Sequence, residues 1–259
     1  MNFDPGLAVG GVLGGFLVGL TGVGGGALLT PMLVFFFGVD PKAAVGSDLV
    51  VSLLMKPVGA WVHLRERTVR WDVVRRLSLG SVPGALAGVV ILSQIDAETA
   101  DNTIKKLLGV ALLLAATVMV LRERLHHYGE THELPDTPRP ERRVATVVLG
   151  LAGGVLVGLT SVGSGSLMIV VLAMLYPHLP RPQLVGTDIV QAIPLVGAAA
   201  VGHLVLGDVR FGVTASLLVG AWPGIYLGAR VSARHNSQLI RAVLPIVLVA
   251  SALKLLGVF

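Results

Sequence analysis

Gly14-Gly15-Phe16-Leu17-Val18-Gly19-Leu20-Thr21-Gly22-Val23-Gly24-Gly25-Gly26 returns, with small changes, as Gly153-Gly154-Val155-Leu156-Val157-Gly158-Leu159-Thr160-Ser161-Val162-Gly163-Ser164-Gly165. The first copy sits inside an apolar run from Leu7 to Gly38 and the second inside one from Val144 to Tyr176. As one helix the first run would be roughly 48 Å long, against a hydrocarbon core near 30 Å. It must break or fold back. The break belongs at Thr21 to Gly26, because successive glycines are poor helix formers and adopt tight-turn backbone angles without a steric penalty. Two short helices in each half follow from that break.

Working outward, the halves align at a shift of about 140 residues. Val45-Gly46-Ser47-Asp48 matches Val185-Gly186-Thr187-Asp188, His63-Leu64 matches His203-Leu204, and Val69-Arg70 matches Val209-Arg210. Gly80 and Pro83-Gly84 match Gly220 and Pro223-Gly224. Similar apolar composition would supply matching Leu and Val by chance, but not this ordered set of Gly, Pro, Asp and His. The chain is a duplication: residues 1–121 and 144–259 form two membrane repeats, joined by a polar cytoplasmic linker, 122–143, that carries His126, His127 and three prolines.

Composition sets the class. Of 259 residues, 54% are hydrophobic and 14% charged, against roughly 25% charged in a soluble domain, and the mean hydropathy is +0.82. The charges collect in short loops between apolar runs, the pattern of an all-α polytopic membrane protein. The net charge of +5 then reports a cytoplasmic face, in preference to nucleic-acid binding. Cysteine is absent, which excludes disulfides and thiolate metal sites. The seven histidines show no metal-ligand spacing, so neither a metal nor another cofactor is expected. The start, Met1-Asn2-Phe3-Asp4-Pro5, has no basic stretch before its apolar run, and that run is expected to be retained.

Basic residues choose the topology. If each broken run enters and leaves on one side, 14 basic residues fall on one face and 5 on the other (Lys42, Lys105, Lys106, Arg210, Lys254), with Lys56 inside a run. A single crossing by each run gives the weaker bias of 12 against 7. The expected fold is therefore a pair of inverted repeats, each a Gly-broken helical pair followed by three further transmembrane helices.

Broken backbone at membrane depth is tolerated only within protein or beside water, so the two turns line something. Small-residue packing alone would account for the glycines. Their duplication, with hydroxyls alongside, argues for a binding site at Thr21, Gly22, Gly24, Gly25, Gly26, Thr160, Ser161, Gly163, Ser164, Gly165 and Ser166. The short helices that follow begin with free amides and a positive dipole end, which suit a small anion. Ser47, Thr187, Ser52 and Gln191 add potential donors. Lys56 is a cation deep in an apolar run, costly unless paired or hydrated. It either neutralises a bound anion or pairs with Asp48 or a carbonyl. Asp48 and Asp188 lie near the starts of matching helices, where they would cap amides or take part in proton coupling. His63 and His203, near the other ends, would snorkel or meet the helix dipole, or else serve in a proton relay.

With these residues assembled, the chain resembles the sulfite exporter TauE/SafE family, also called the toluenesulfonate uptake permease family. The carrying motifs are Gly19-Leu20-Thr21-Gly22-Val23-Gly24-Gly25-Gly26 with Pro31, Val45-Gly46-Ser47-Asp48, and their second copies. The resemblance covers essentially the whole chain. It implies a transporter, not an enzyme, in the cytoplasmic (inner) membrane of a prokaryote. Its substrates would be sulfite, thiosulfate, sulfoacetate or a related organosulfonate, moved with protons. The second motif departs from the glycine run at Ser161 and Ser164, so unequal contacts from the two halves are expected. An anion channel on the same scaffold and an intramembrane enzyme are the alternatives. The enzyme would need an acidic pair or a Ser-His arrangement that the sequence does not present.

Overall fold

The computed structural model describes residues 4–21, 24–95, 97–129, 141–165, 167–176, 179–234 and 238–258. Ten helices carry these residues. The first half comprises α1 (Pro5–Thr21), α2 (Leu29–Phe36), α3 (Pro41–Arg65), α4 (Trp71–Ser93) and α5 (Ala97–Gly129). The second comprises α6 (Glu141–Thr160), α7 (Leu167–Leu175), α8 (Arg181–Leu206), α9 (Phe211–Arg234) and α10 (Gln238–Leu255). Among the described residues no strand is present. Five helical stretches, Pro41–Arg65, Trp71–Ser93, Arg143–Thr160, Pro182–Leu206 and Phe211–Gly228, are long and apolar enough to cross a bilayer.

Each broken run divides where its glycines require. The helix of the first run stops at Thr21 and resumes at Leu29; that of the second stops at Thr160 and resumes at Leu167. Local chemistry also fixes the start of α3, where Asp40 Oδ1 accepts from the Ala43 amide at 3.1 Å and Pro41 occupies the first helical position. Helix enters both ends of the expected linker, since α5 continues to Gly129 and α6 begins at Glu141. The intervening residues 130–140, and the side chains of His126 and His127, lie outside the described residues.

Helices pack in crossed pairs. Helix α1 lies along α9 of the other half, and α4 lies along α6. Gly11 and Gly15 abut the backbone at Leu217 and Ala221, while Gly220 and Gly224 abut Ala8 and Val12. The second pair repeats the pattern, with Gly80 and Gly84 against Val147 and Leu151, and Gly150 and Gly154 against Leu77 and Ser81. In both pairs rising residue numbers meet rising residue numbers, so these helices run parallel. Small residues at such crossings let backbones approach to van der Waals contact, a main source of helix association in lipid.

Helices α3 and α8, which are repeat equivalents, instead pair with each other and run antiparallel: Gly46 faces Asp208, Leu53 faces Gly197, Gly59 faces Ile189 and His63 faces Gly186. Two reciprocal hydrogen bonds close this pair. The Arg70 amide donates to Thr187 Oγ1 at 3.0 Å, and the Arg210 amide donates to Ser47 Oγ at 3.1 Å. Around them Leu49, Ile104, Leu108, Leu112, Leu195 and Leu248 are fully buried, so α3, α5, α8 and α10 share one apolar centre. Phe36, Trp61, Val205 and Trp222 are exposed on the outer surface, as lipid-facing positions require.

Candidate functional site: two glycine turns on a polar stripe

The two breaks meet. A side chain at Gly26 would strike the Ser161 carbonyl, and one at Gly24 would touch Gly165 and Ser164 Oγ, each about 3.9 Å away. Gly24 has φ of 88° and Gly163 has φ of 111°, so matching positions of the two turns take the left-handed conformation that glycine adopts freely. Ser161 takes it too, at φ 59°, where the first motif has Gly22. A serine there is strained, and a strong hydrogen bond holds it.

That bond runs to Asp48. Ser161 Oγ donates to Asp48 Oδ2 at 2.6 Å, and Thr30 Oγ1 donates to the same oxygen at 2.9 Å. Asp48 is completely buried. It stands eight residues into the sequence after Asp40, and Asp40 takes the capping role instead, because Asp48 is too far inside α3 to reach free amides. Asp48, Ser52 and Lys56 follow one another at intervals of four, which sets them on one helical face. This stripe faces the turns. Gly25 sits against Ser52 Oγ and Asp48 Oδ1, and Lys56 Nζ donates to the Ser164 carbonyl at 3.0 Å. Asp188, the counterpart of Asp48 on α8, is buried as well. One ammonium, the buried Asp48 carboxylate and several hydroxyls therefore converge where the turns touch.

Gly24, Gly25, Gly26, Asp48, Lys56, Ser161, Gly163, Ser164 and Gly165 belong to this cluster. Other sequence candidates have different partners. Ser47 and Thr187 accept from loop amides of the opposite half. Thr160 Oγ1 donates to the Leu156 carbonyl at 2.7 Å and accepts from the Val162 amide at 3.2 Å, closing the end of α6. Gln191 Nε2 donates to Ser81 Oγ at 2.9 Å, joining α8 to α4. Gly22, Ser166 and the side chain of Thr21 lie outside the described residues.

The two histidines terminate α3 and α8. His63 Nδ1 lies 2.8 Å from Thr68 Oγ1. His203 is fully buried, with Nδ1 2.9 Å from Asp208 Oδ2 and Nε2 2.9 Å from the Gly158 carbonyl. A carbonyl only accepts, so Nε2 carries a hydrogen. The residue that sequence reasoning missed is Thr30. Its signal was modest: a hydroxyl set in the apolar segment Leu28-Leu29-Thr30-Pro31-Met32.

Comparison with known proteins agrees with this architecture. The family described as "Sulfite exporter TauE/SafE" matches residues 7–255. A "Probable membrane transporter protein YjnA" of Bacillus subtilis is 36% identical, over 95% of this chain and 97% of its own length. A "Probable membrane transporter protein MJ0441" of Methanocaldococcus jannaschii is 26% identical, over 98% of this chain and 94% of its own. No solved structure matches significantly. The duplicated glycine turns, the all-helical membrane architecture and this full-length agreement make the chain an integral membrane transporter protein belonging to the sulfite exporter TauE/SafE family.

Proposed function

We propose that the protein carries a small sulfur-containing oxyanion (sulfite, thiosulfate, sulfoacetate or another organosulfonate) across the cytoplasmic membrane of a prokaryote, in exchange with or alongside protons. The substrate binds where the glycine turns meet. The observation that carries this reading is the convergence of Lys56 with the two glycine turns, where Gly24, Gly163 and Ser161 take left-handed backbone angles. An oxyanion there would receive the ammonium of Lys56 and the hydroxyl of Ser164, in surroundings where exclusion of water strengthens each contact. Asp48 and Asp188 oppose an anion so long as both are ionised. Protonating a carboxylate removes that opposition, which supplies a physical reason for proton coupling. His63 and His203 stand at helix ends suited to passing protons toward the cluster.

Alternating access around the turns follows the logic of repeat-built carriers. The antiparallel run of α3 and α8 supports inverted repeats. The crossed pairing of α1 with α9 and α4 with α6 supports moving units that each combine helices from both halves. Uptake of labelled sulfite, thiosulfate and a small organosulfonate into proteoliposomes, with and without a pH gradient, tests the reading. Gradient-stimulated flux of one anion, lost in Gly25→Leu, is expected. Absence of flux for all three, with folded protein, would overturn the substrate class.

A further inference from the structure

Helices α3 and α8 end on one repeated device. Each closes on a histidine whose carbonyl accepts from an amide five residues on, Thr68 to His63 at 3.1 Å and Asp208 to His203 at 3.0 Å. The side chain at that fifth position meets the ring. Thr68 Oγ1 lies 2.8 Å from His63 Nδ1, and Asp208 Oδ2 lies 2.9 Å from His203 Nδ1. Because α3 and α8 run antiparallel, with Gly46 against Asp208 and Gly186 against Thr68, the two devices stand at opposite ends of a helix pair long enough to cross a bilayer.

Their hydrogens count differently. Thr68 Oγ1 donates its hydrogen to the His63 carbonyl at 3.2 Å, so it accepts from Nδ1, and a neutral His63 ring completes these bonds. His203 has acceptors on both sides, the Asp208 carboxylate at Nδ1 and the Gly158 carbonyl at Nε2. A neutral ring beside an ionised Asp208 holds one hydrogen for two bonds. One further proton, on the ring or on the carboxyl, completes both and leaves the pair without net charge. His203 is fully buried and the Asp208 side chain is 17% exposed, so the carboxylate is the way in for that proton.

Little else charged surrounds the ring. Helices α3, α4, α6 and α7 pack on α8. Residues 77–93 of α4, residues 144–160 of α6 and the whole of α7 contain no titratable side chain. Helix α3 brings Lys42 and Asp48 on either side of Gly46, and Asp48 and Lys56 are bonded to the glycine turns and Thr30. The loop after α8 brings Arg210, and Asp188 of α8 itself stands about four turns away.

We propose that His203 and Asp208 form the site that binds the proton moved with the anion. This rests on the coupled-transport reading above and assigns its proton to one of the two histidines. The pair reaches the anion cluster from two sides. Gly158 stands three residues before Ser161, in the chain that leads to Ser164, while the Asp208 loop continues to Arg210, whose amide donates to Ser47 beside Asp48. Losing the proton forfeits one of the two ring bonds, and with it the hold on that turn or that loop. An anion that favours the closed arrangement therefore strengthens proton binding, and the proton strengthens anion binding by the same factor.

The test uses the purified full-length chain. Thermal stability in detergent, followed without anion as pH is raised, is expected to fall in the native chain as the pair gives up its proton. In Asp208→Asn the amide nitrogen donates to Nδ1 while Nε2 still donates to the Gly158 carbonyl, so both contacts are complete without the extra proton. That variant is expected to lose the native pH dependence and, in proteoliposomes, the stimulation of labelled-anion uptake by a pH gradient. Should it fail to fold, His203→Gln, which has no titratable ring, is expected to lose both as well. Gradient stimulation retained in a folded variant, or a stability profile with pH that matches the native one, overturns the proposal. Exchange of labelled sulfite, thiosulfate or organosulfonate by the native chain at equal pH separates the two readings. Exchange with a gradient response that Asp208→Asn leaves intact sinks the proton site alone. A pH-dependent stability lost in the variant, with no exchange of any of the three anions, sinks the anion reading alone.

Discussion

Ser161 Oγ donates to Asp48 Oδ2 across 2.6 Å, which ties the strained turn of the second half to the polar stripe of the first. The serine is held at φ 59°, a backbone conformation that glycine occupies without penalty. Two opposing effects can therefore be separated at one position. Ser161→Ala keeps the strain and loses the bond; Ser161→Gly loses both. The alanine variant is expected to be destabilised by about 1.5–3 kcal/mol, as for a hydrogen bond to a charged group. The glycine variant recovers about 1 kcal/mol of that. Thermal unfolding in detergent should rank native above glycine above alanine, and alanine equal to or above glycine would contradict the strain.

Lys56 holds the Ser164 carbonyl at 3.0 Å and is the cation of the cluster. Lys56→Met keeps an unbranched apolar stem and removes the charge. Anion affinity is expected to fall at least tenfold, with the protein still folded. Equilibrium binding of labelled anion checks this, and unchanged affinity would remove Lys56 from the site.

The reciprocal bonds from Ser47 to the Arg210 amide and from Thr187 to the Arg70 amide predict matched energetics in the two halves. Ser47→Ala and Thr187→Val each leave a backbone amide without its acceptor, which costs about 1–3 kcal/mol. The two sites are separate, so the double variant should show roughly the sum. A large cost at one position and none at the other would show that the halves are not equivalent there.

Two glycines separate packing from conformation. Gly220 abuts the Ala8 carbonyl, whereas Gly207 ends α8 at φ 78° with nothing near its Cβ position. Asn tolerates the left-handed region, so Gly207→Asn is expected to cost about 1 kcal/mol or less. Gly220→Asn must push α1 away from α9 and is expected to cost at least 3 kcal/mol or prevent folding. Yield and thermal unfolding of the two variants decide it, and comparable behaviour would refute the close α1–α9 approach.

Much of this architecture was legible in the sequence because membrane physics narrows the choices. A run such as Leu7 to Gly38 is too long for one crossing, and Thr21 to Gly26 is the place where it breaks with least cost. The structure ends α1 at Thr21 accordingly. What sits beside Asp48 was not legible. Thr30 and Ser161 reach it because the turns cross in space and the helices are rotated to face one another, and neither property is written in local spacing. Ser47 and Thr187 illustrate the converse: they stand in the duplicated motif but answer backbone amides of the opposite half. Nor does the pattern of glycines at Gly80, Gly84, Gly220 and Gly224 say which helix they meet, and the structure pairs each with the other repeat.

The central claim is that the meeting point of the turns is the anion site. The chain has no cysteine, so Ser164→Cys would place a single thiol there. Its rate of reaction with a small negatively charged methanethiosulfonate, measured with and without the transported organosulfonate, tests the claim most directly. The account predicts concentration-dependent protection, half-maximal near the transport KM and lost in combination with Lys56→Met. A thiol that reacts at the same rate at saturating substrate would place the anion elsewhere and contradict it.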